Sequence, residues 1–214
     1  MKRQVLVIGL GRFGSSAAIE LTRLGHEVLA VDSDARLIQA ISDDVTHAVQ
    51  ADATDEDALS ALGVADFDTA IVGVSDIEVS ILACVLLKRL GVRRVILKAA
   101  SVLHAEILQR VGADRVVFPE REMGIRVAHS FAAPIVSDYL DVAPGYGLAR
   151  IQVQGDLVGK TLGELDLARS HGLSPLLLRR DQQVMVTPDR TERLRAGDDL
   201  IVAGADDKLA EFRV

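Results

Sequence analysis

The chain has 214 residues, of which 49% are hydrophobic and 26% charged, so it can build a packed core and is not disordered throughout. Its net charge of −7 and an aromatic content of 3%, without tryptophan, argue against a nucleic-acid-binding surface. The single cysteine, Cys84, excludes an internal disulfide and a multi-cysteine zinc site. No apolar stretch reaches the roughly 18–20 residues of a membrane span, and the start leaves no room for a signal peptide, so we expect a cytoplasmic protein.

The first 118 residues alternate short apolar runs with helix-length stretches whose apolar residues lie three and four apart. The runs predict strands at 5–8, 28–31, 48–51, 70–74, 95–97 and 116–118. Continuous apolar strands separated by helices indicate a parallel sheet covered on both faces. With right-handed crossovers, this is an α/β doubly wound sheet, a Rossmann-type domain. We predict that it spans residues 1–134 and ends with a crossover helix at 120–133.

The remaining residues have a different pattern. The turn-rich segment Ala143-Pro144-Gly145-Tyr146-Gly147 suggests a domain boundary, so we predict a linker at 135–147. Residues 148–214 then predict a small α+β domain, with strands at 148–153, 173–178, 184–186 and 200–203, a helix at 162–168 and a final helix from Asp206. A domain of this size has a limited core and is expected to pair with a second copy.

The first predicted strand ends in a glycine turn of the pattern G-x-G-x-x-G. Gly9 permits a tight turn, Gly11 lets the backbone approach phosphates, and Gly14 lets the following helix pack closely on the sheet. Asp32 ends the second strand, where a carboxylate accepts hydrogen bonds from ribose hydroxyls and repels a 2′-phosphate. The alternative is a turn kept for packing alone, with Asp32 as a helix cap.

Several polar residues stand where they could reach a nucleotide, and each has a second interpretation. Arg12 could contact a third phosphate or be a solvated side chain at a helix start. Asp52 could face the nucleoside, or it could belong with Thr54 to a helix cap. Lys98 closes the fifth strand, where it could neutralise phosphate or simply be exposed. Ser75 could lie beside a nucleotide, or Ser75-Asp76 could cap the long helix predicted at 77–90. The same helix carries Cys84, which we expect to be buried and inert.

A set of segments occurs in one order along the chain: residues 9–15, Gln50-Ala51-Asp52-Ala53-Thr54, Lys98-Ala99, Gly112-Ala113-Asp114 and Phe118-Pro119-Glu120-Arg121-Glu122-Met123-Gly124. Together they resemble the RCK (regulator of potassium conductance, also KTN) proteins, which are cytosolic components of the Trk/Ktr bacterial potassium transporters. Residues 186–202 resemble the small C-terminal RCK domain. One nucleotide domain followed by one C-terminal domain is typical of the Ktr-type gating subunit.

This resemblance implies homodimers that assemble into an octameric ring under a membrane-embedded potassium pore subunit, at the inner face of the cell membrane. ATP and ADP, or NADH and NAD, would change the shape of the ring. It also implies a nucleotide pocket in which the glycine turn holds phosphates, Asp32 takes the ribose, and Asp52 lies near the adenosine. The implied pocket residues are Gly9, Gly11, Arg12, Phe13, Gly14, Asp32, Ser33, Asp52, Ala53, Ser75, Lys98 and His104.

The resemblance implies two further ligands. Glu120 matches a Pro-Glu segment whose carboxylate meets its symmetry mate beside a divalent cation, Mg²⁺ or Ca²⁺, which removes the repulsion between the two charges. From the residues alone, Glu120 is equally a favourable charge at a helix N-terminus. Some relatives bind cyclic di-AMP in a groove of the C-terminal dimer, and Arg169, His171 and Pro188 lie in that vicinity here.

The sequence thus favours a non-enzymatic regulator in which nucleotide binding shifts a hinge and biases an ion pore. The alternative is an NAD-dependent oxidoreductase, but residues 148–214 leave little space for a substrate domain. No His-Asp or Tyr-x-x-x-Lys pairing offers a proton shuttle. A redox-sensing repressor would need a basic helix-turn-helix, which the acidic second half lacks.

Overall fold

A computed structural model describes residues 2–132 and 135–212, and strands alternate with helices from its first residues to Pro119. A 3₁₀ turn at Val64–Asp66 precedes the fourth strand. The elements are β1 (Gln4–Ile8), α1 (Arg12–Arg23), β2 (Glu27–Asp32), α2 (Ala35–Ile41), β3 (His47–Gln50), α3 (Glu56–Ala61), β4 (Thr69–Val72), α4 (Ile77–Arg89), β5 (Arg94–Lys98), α5 (Val102–Arg110) and β6 (Arg115–Val117).

The six strands form one parallel sheet in the order β3-β2-β1-β4-β5-β6. Successive side chains of a strand point to opposite faces, so Leu6 and Ile8 enter one hydrophobic cluster while Val5 and Val7 enter another. Burial on both faces explains the uninterrupted apolar runs and confirms the predicted doubly wound sheet. The strand order reverses between β1 and β4, and ligands of such sheets bind in the crevice at that point.

The residues from Glu120 onward form a second compact unit. Its elements are α6 (Pro119–Ala132), β7 (Val136–Ala143), β8 (Tyr146–Gln152), α7 (Leu162–Leu165), α8 (Leu167–Ser170), β9 (Ser174–Arg180), β10 (Gln183–Val186), β11 (Asp199–Ala205) and α9 (Asp206–Glu211). Its sheet is antiparallel, in the order β10-β9-β11-β8-β7, and a 3₁₀ turn lies at Gly155–Leu157.

Two predictions for this part of the chain differ from the structure. The predicted linker at 135–147 contains strand β7, and Pro144-Gly145 is the turn of the β7–β8 hairpin. Gly147 lacks a side chain because a Cβ there would lie 2.3 Å from the ring of Tyr139. The predicted helix at 162–168 is interrupted at Asp166, whose φ of 40° separates α7 from α8.

The crossover helix predicted at 120–133 as the end of the first domain is α6, and from Glu120 onward it belongs to the second unit. Arg126 donates two hydrogen bonds of 2.5 Å to the carboxylate of Asp138 on β7, and these contacts hold the pKa of Asp138 below its ordinary value. The rings of His129 and Tyr139 stack with their centroids 3.9 Å apart. Among the residues described, no helix combines the length and apolarity needed to cross a membrane.

Candidate functional site

A cavity of about 410 Å³ lies at the carboxyl ends of β1, β2, β3 and β4, where the strand order reverses. Parallel strands bring the residues that follow them to one edge of the sheet, so segments far apart in the sequence meet there. Its lining consists of Ile8, Gly9, Gly11, Asp32, Ser33, Ala51, Asp52, Ala53, Thr54, Gly73, Val74, Ser75, Asp76 and Val79. Most of the predicted pocket residues are therefore brought together.

Close backbone packing requires two of the three glycines in the turn. Gly9 has a φ of 84°, and a Cβ there would lie 2.8 Å from Val74. A Cβ on Gly14 would lie 1.8 Å from the carbonyl oxygen of Gly9, so only glycine lets α1 start this close to the sheet. Gly73, which no sequence motif predicted, lies against the same carbonyl, since a Cβ added to it would be 3.0 Å from that oxygen.

Gly11 differs from these glycines. Its φ of −63° is open to any residue, and a Cβ there would meet no protein atom within 4 Å. It also precedes a helix that no side chain caps, whereas Asp34, Asp55, Asp76 and Ser101 cap the helices α2 to α5. The first backbone N–H groups of a helix have no intrahelical acceptor. The turn therefore places N–H groups without an intrahelical acceptor or a side-chain cap beside open space, which suits an anionic group.

Asp32 braces the glycine turn. Its Oδ2 accepts a 2.6 Å hydrogen bond from the backbone N–H of Leu10, and its Oδ1 accepts one of 2.9 Å from the N–H of Asp34. The helix-cap alternative is wrong, because the N-cap of α2 is Asp34. Each carboxylate oxygen carries two lone pairs, so Asp32 keeps acceptor capacity toward the cavity that it lines.

Asp52 lines the cavity from the segment after β3, the strand that pairs with β2. Its Oδ1 accepts hydrogen bonds from the backbone N–H and the hydroxyl of Thr54, at 2.8 and 2.7 Å, which keep its pKa below the ordinary value. The alternative that these two residues cap the next helix is wrong, because Asp55 caps α3. Thr54 also lines the cavity, and its place directly after Asp52 and Ala53 is the signal that could have found it.

The third wall comes from the segment after β4. Ser75 lines the cavity, and its Oγ accepts a 2.9 Å hydrogen bond from Nζ of Lys98 at the end of β5. Lys98 therefore reaches the cavity edge through Ser75. Asp76 caps α4 by accepting from the N–H of Val79 at 3.0 Å, and it also lines the cavity. As a cap it was recognisable in the sequence; as a wall residue it was missed.

Other predicted residues lie outside the lining. Arg12 is exposed on the first turn of α1, and Phe13 packs over Gly73. His104 is buried, with 2% of its surface exposed, and its ring nitrogens contact Ser80 and Ala100. The structure gives His104 a packing position in place of the implied nucleotide contact. Cys84 is buried as expected, and burial raises the pKa of its thiol to about 11.

The two implied ligands outside this cavity have incomplete sites in one chain. Glu120 lies exposed in the first turn of α6, and the described residues contain no group of three or more metal-binding side chains. One carboxylate offers two oxygens, whereas Ca²⁺ takes about six to eight. Arg169 and His171 line a separate pocket of about 320 Å³ with Lys208, and Pro188 does not line it.

Comparison with known proteins agrees with this fold. Residues 5–119 match the model of the TrkA-N domain, and residues 148–214 match that of the TrkA-C domain. The chain is 38% identical over 213 residues to Ktr system potassium uptake protein C of Bacillus subtilis (strain 168), covering 99% of this chain and 96% of the relative. It is 36% identical over 209 residues to Ktr system potassium uptake protein A of Vibrio alginolyticus, covering 97% and 95%.

A solved structure shares the fold. The GsuK channel bound to NAD superimposes with a TM-score of 0.65 at 21% identity, over 98% of this chain and 38% of that one. The uptake proteins from Bacillus and Vibrio match along nearly their whole length. The chain belongs to the RCK family of potassium-transport regulators, built from a TrkA-N and a TrkA-C domain, and within it to the Ktr type.

Proposed function

We propose that the TrkA-N domain binds an adenine nucleotide without a 2′-phosphate in the cavity at the carboxyl ends of β1 to β4, and that binding regulates a potassium transporter. The observation that carries the proposal is the contrast between Gly11 and Gly14. The fold needs the glycine at 14 but not at 11, where the missing side chain leaves room beside an uncapped helix N-terminus. A phosphate group fits that room in size and charge.

Each wall of the cavity has a part in this proposal. The turn from Gly9 to Gly14 would hold the phosphates, and the exposed Arg12 would reach the terminal phosphate of ATP. Asp32, with Ser33 beside it, would accept from the ribose hydroxyls. Asp52 and Ala53 would lie near the adenosine, while Lys98, held against Ser75, would add positive charge. ATP and ADP, or NADH and NAD, meet these requirements alike.

The regulatory role rests on family membership. The Bacillus and Vibrio relatives are named as potassium uptake proteins, and the GsuK channel of the same fold was solved with NAD. A change of shape on nucleotide binding would alter the equilibrium of a membrane-embedded pore subunit at the inner face of the membrane. The protein would act without catalysing a reaction, and the family does not favour the oxidoreductase alternative.

Assembly belongs to the same proposal. Val127 and Phe131 on α6 are exposed, Phe131 by 88%, although their side chains are apolar, as expected for a helix that a second copy covers. Homodimers arranged in an octameric ring would place Glu120 of one chain opposite Glu120 of its partner, with Mg²⁺ or Ca²⁺ between them. Arg169, His171 and Lys208 would face cyclic di-AMP in a pocket of the second unit that Glu211, the ion-pair partner of Lys208, also lines.

Titration calorimetry with ATP, ADP, NADH and NADPH tests the nucleotide half. The first three should bind and NADPH should bind more weakly, because its 2′-phosphate would lie against the Asp32 carboxylate. Asp32→Asn should lower the affinities for ATP, ADP and NADH and reduce the ratio of each to the affinity for NADPH. Asp43→Asn removes the same charge from an exposed residue outside the cavity lining and should leave all four affinities unchanged. A preference for NADPH, or no binding at all, would contradict the proposal.

A further inference from the structure

Behind the cavity wall, a histidine and a serine form a buried polar pair. His104 on α5 is 2% exposed and Ser80 on α4 is fully buried, and His104 Nε2 lies 2.8 Å from Ser80 Oγ. The other ring nitrogen, Nδ1, accepts a 3.2 Å hydrogen bond from the backbone N–H of Ala100. A buried polar pair of this kind is retained only where its hydrogen bonds are made.

The hydrogen bonds fix the proton on the ring. Because Nδ1 accepts from Ala100, the proton of a neutral imidazole is on Nε2 and is donated to Ser80 Oγ. The Ser80 hydroxyl donates in turn to the carbonyl oxygen of Ile77 at 3.1 Å. Burial holds the pKa of His104 below its ordinary value, which favours this neutral form. Both ring nitrogens are therefore used by the protein itself.

The pair joins two segments that also meet at the cavity. Ile77 and Ser80 form the first turn of α4, directly after the lining residues Ser75 and Asp76. Ala100 follows β5, two residues after Lys98, whose Nζ contacts Ser75 Oγ at 2.9 Å. The Lys98–Ser75 contact thus links the two segments at the cavity, and the Ser80–His104 contact links them in the protein interior.

We propose that His104 and Ser80 are positioning residues for the nucleotide site: they hold the β4–α4 segment and Lys98 at the separation that the ligand requires, without touching the ligand. The inference rests on the proposed nucleotide site and adds to it a determinant of affinity outside the cavity. Residues that hold the ligand-binding groups in place affect affinity, because a binding group that moves away no longer forms its hydrogen bond to the ligand.

Two variants cut the link at different ends. In His104→Asn the side-chain oxygen still accepts from the backbone N–H of Ala100, but the asparagine side chain is too short to reach Ser80. In Ser80→Ala the histidine remains and its partner is removed. Each variant should bind ATP or NADH about three- to tenfold more weakly, the effect expected for one lost hydrogen bond. Thr46→Val is the matched control: it removes the acceptor of the Val28 N–H at the amino end of β2, away from the cavity, and should lower only the melting temperature.

A double-variant measurement separates positioning from simple stability. In a Lys98→Met background, His104→Asn should still lower the melting temperature but should have little further effect on affinity, because the group that it positions is gone. A purely structural role predicts lower melting temperatures with unchanged affinity in both backgrounds. Equal weakening in both backgrounds would show that His104 does not act through Lys98. Either result overturns the inference.

Failure of the proposed function would look different. If the unmodified chain binds no nucleotide, the proposed site is wrong and the positioning role falls with it. If the unmodified chain binds and both His104→Asn and Ser80→Ala bind equally well, the site stands and only the positioning role is overturned. Should one of the two variants not fold, the other decides between these outcomes, since each breaks the same contact.

Discussion

Gly11 and Gly14 are both glycines of the G-x-G-x-x-G motif, but glycine stands at the two positions for different physical reasons. Gly14→Ala should lower the melting temperature by about 5–10 °C or prevent folding, because its Cβ would lie 1.8 Å from the Gly9 carbonyl oxygen. Gly11→Ala should leave the melting temperature unchanged and weaken ATP and NADH about tenfold by occupying phosphate space. Thermal unfolding and calorimetry check the pair. Unchanged affinity in Gly11→Ala would remove the main support for the phosphate site.

Arg12 gives a second test at the scale of one residue. It is exposed, and within the described residues it forms no ion pair, so Arg12→Ala should not change the melting temperature. Only ATP offers a third phosphate, and a charge-assisted hydrogen bond contributes about 1.5–3 kcal/mol, so the ratio of ATP to ADP affinity should fall about tenfold or more. Calorimetry with ATP and ADP measures this ratio. Equal losses of affinity for the two nucleotides would show that Arg12 contacts the α- or β-phosphate instead of the third.

The residues that could be predicted are those whose position follows from a local pattern. The glycine turn and Asp32 stand at fixed distances along one strand–helix–strand unit, so the sequence places them at one edge of the sheet. His104 could not be assigned in this way. Whether it faces the cavity or the interior depends on how α4 packs against α5, and nothing in the neighbouring letters specifies that packing.

Strands were predictable where both of their faces are buried. In β1, β2, β4 and β5 the apolar run is itself the signal, since side chains packed on both faces of the sheet cover these strands. Strand β7 has no continuous apolar run, because Ser137, Asp138 and Asp141 interrupt it, and the hairpin turn after it resembles a domain boundary. A Pro-Gly pair marks a change of direction, and only the pairing of β7 with β8 shows that the chain stays in one sheet.

The loop before β11 is fastened to β9 by a buried ion pair. Arg180 donates to both oxygens of Asp198 at 2.9 and 2.8 Å, and Asp198 also accepts from the backbone N–H of Arg195. Asp198 is 2% exposed, so Asp198→Ala should cost about 3 kcal/mol. Arg180 would lose its bidentate carboxylate and keep only Glu192 and the Arg193 carbonyl as acceptors, and the Arg195 N–H would lose its acceptor. Glu20→Ala, which breaks an exposed pair with Arg23, should cost less than about 0.5 kcal/mol. Urea denaturation measures the free energy of unfolding of both variants. Similar losses of stability would contradict the conclusion that the Arg180–Asp198 pair contributes more than the exposed pair.

The same pair predicts a pH dependence. Burial raises the pKa of Asp198, but the hydrogen bonds from Arg180 and Arg195 outweigh it, so the pKa lies below its ordinary value. A carboxylate with a lowered pKa stabilises the fold above about pH 4 and loses that contribution as the pH falls through its folded pKa. The stability difference between the unmodified chain and Asp198→Asn should therefore be constant from about pH 5 to 8 and narrow below about pH 4. A difference that persists unchanged below about pH 3 would contradict this.

At the scale of the whole molecule, one chain contains only part of what the family implies. The exposed apolar residues Val127 and Phe131 of α6 are those that a second copy would cover in the proposed assembly. Neither the sequence pattern of one chain nor its own packing specifies the arrangement of copies. The assembly therefore has to be tested on the protein in solution and with its transporter.

Light scattering should report about eight subunits for the purified protein, as closed rings of dimers give. In that proposed ring, two facing Glu120 carboxylates would repel and oppose closure, and Mg²⁺ or Ca²⁺ between them would remove the repulsion. Glu120→Gln should therefore keep the same mass and nearly the same ATP affinity, yet abolish the effect of the cation on potassium flux through the reconstituted transporter. Glu122→Gln, in the same exposed helical turn, is the matched control and should keep the full cation response. A monodisperse monomer would contradict the ring, and an undiminished cation response in Glu120→Gln would contradict the metal site, because no charge would then need to be neutralised at that position.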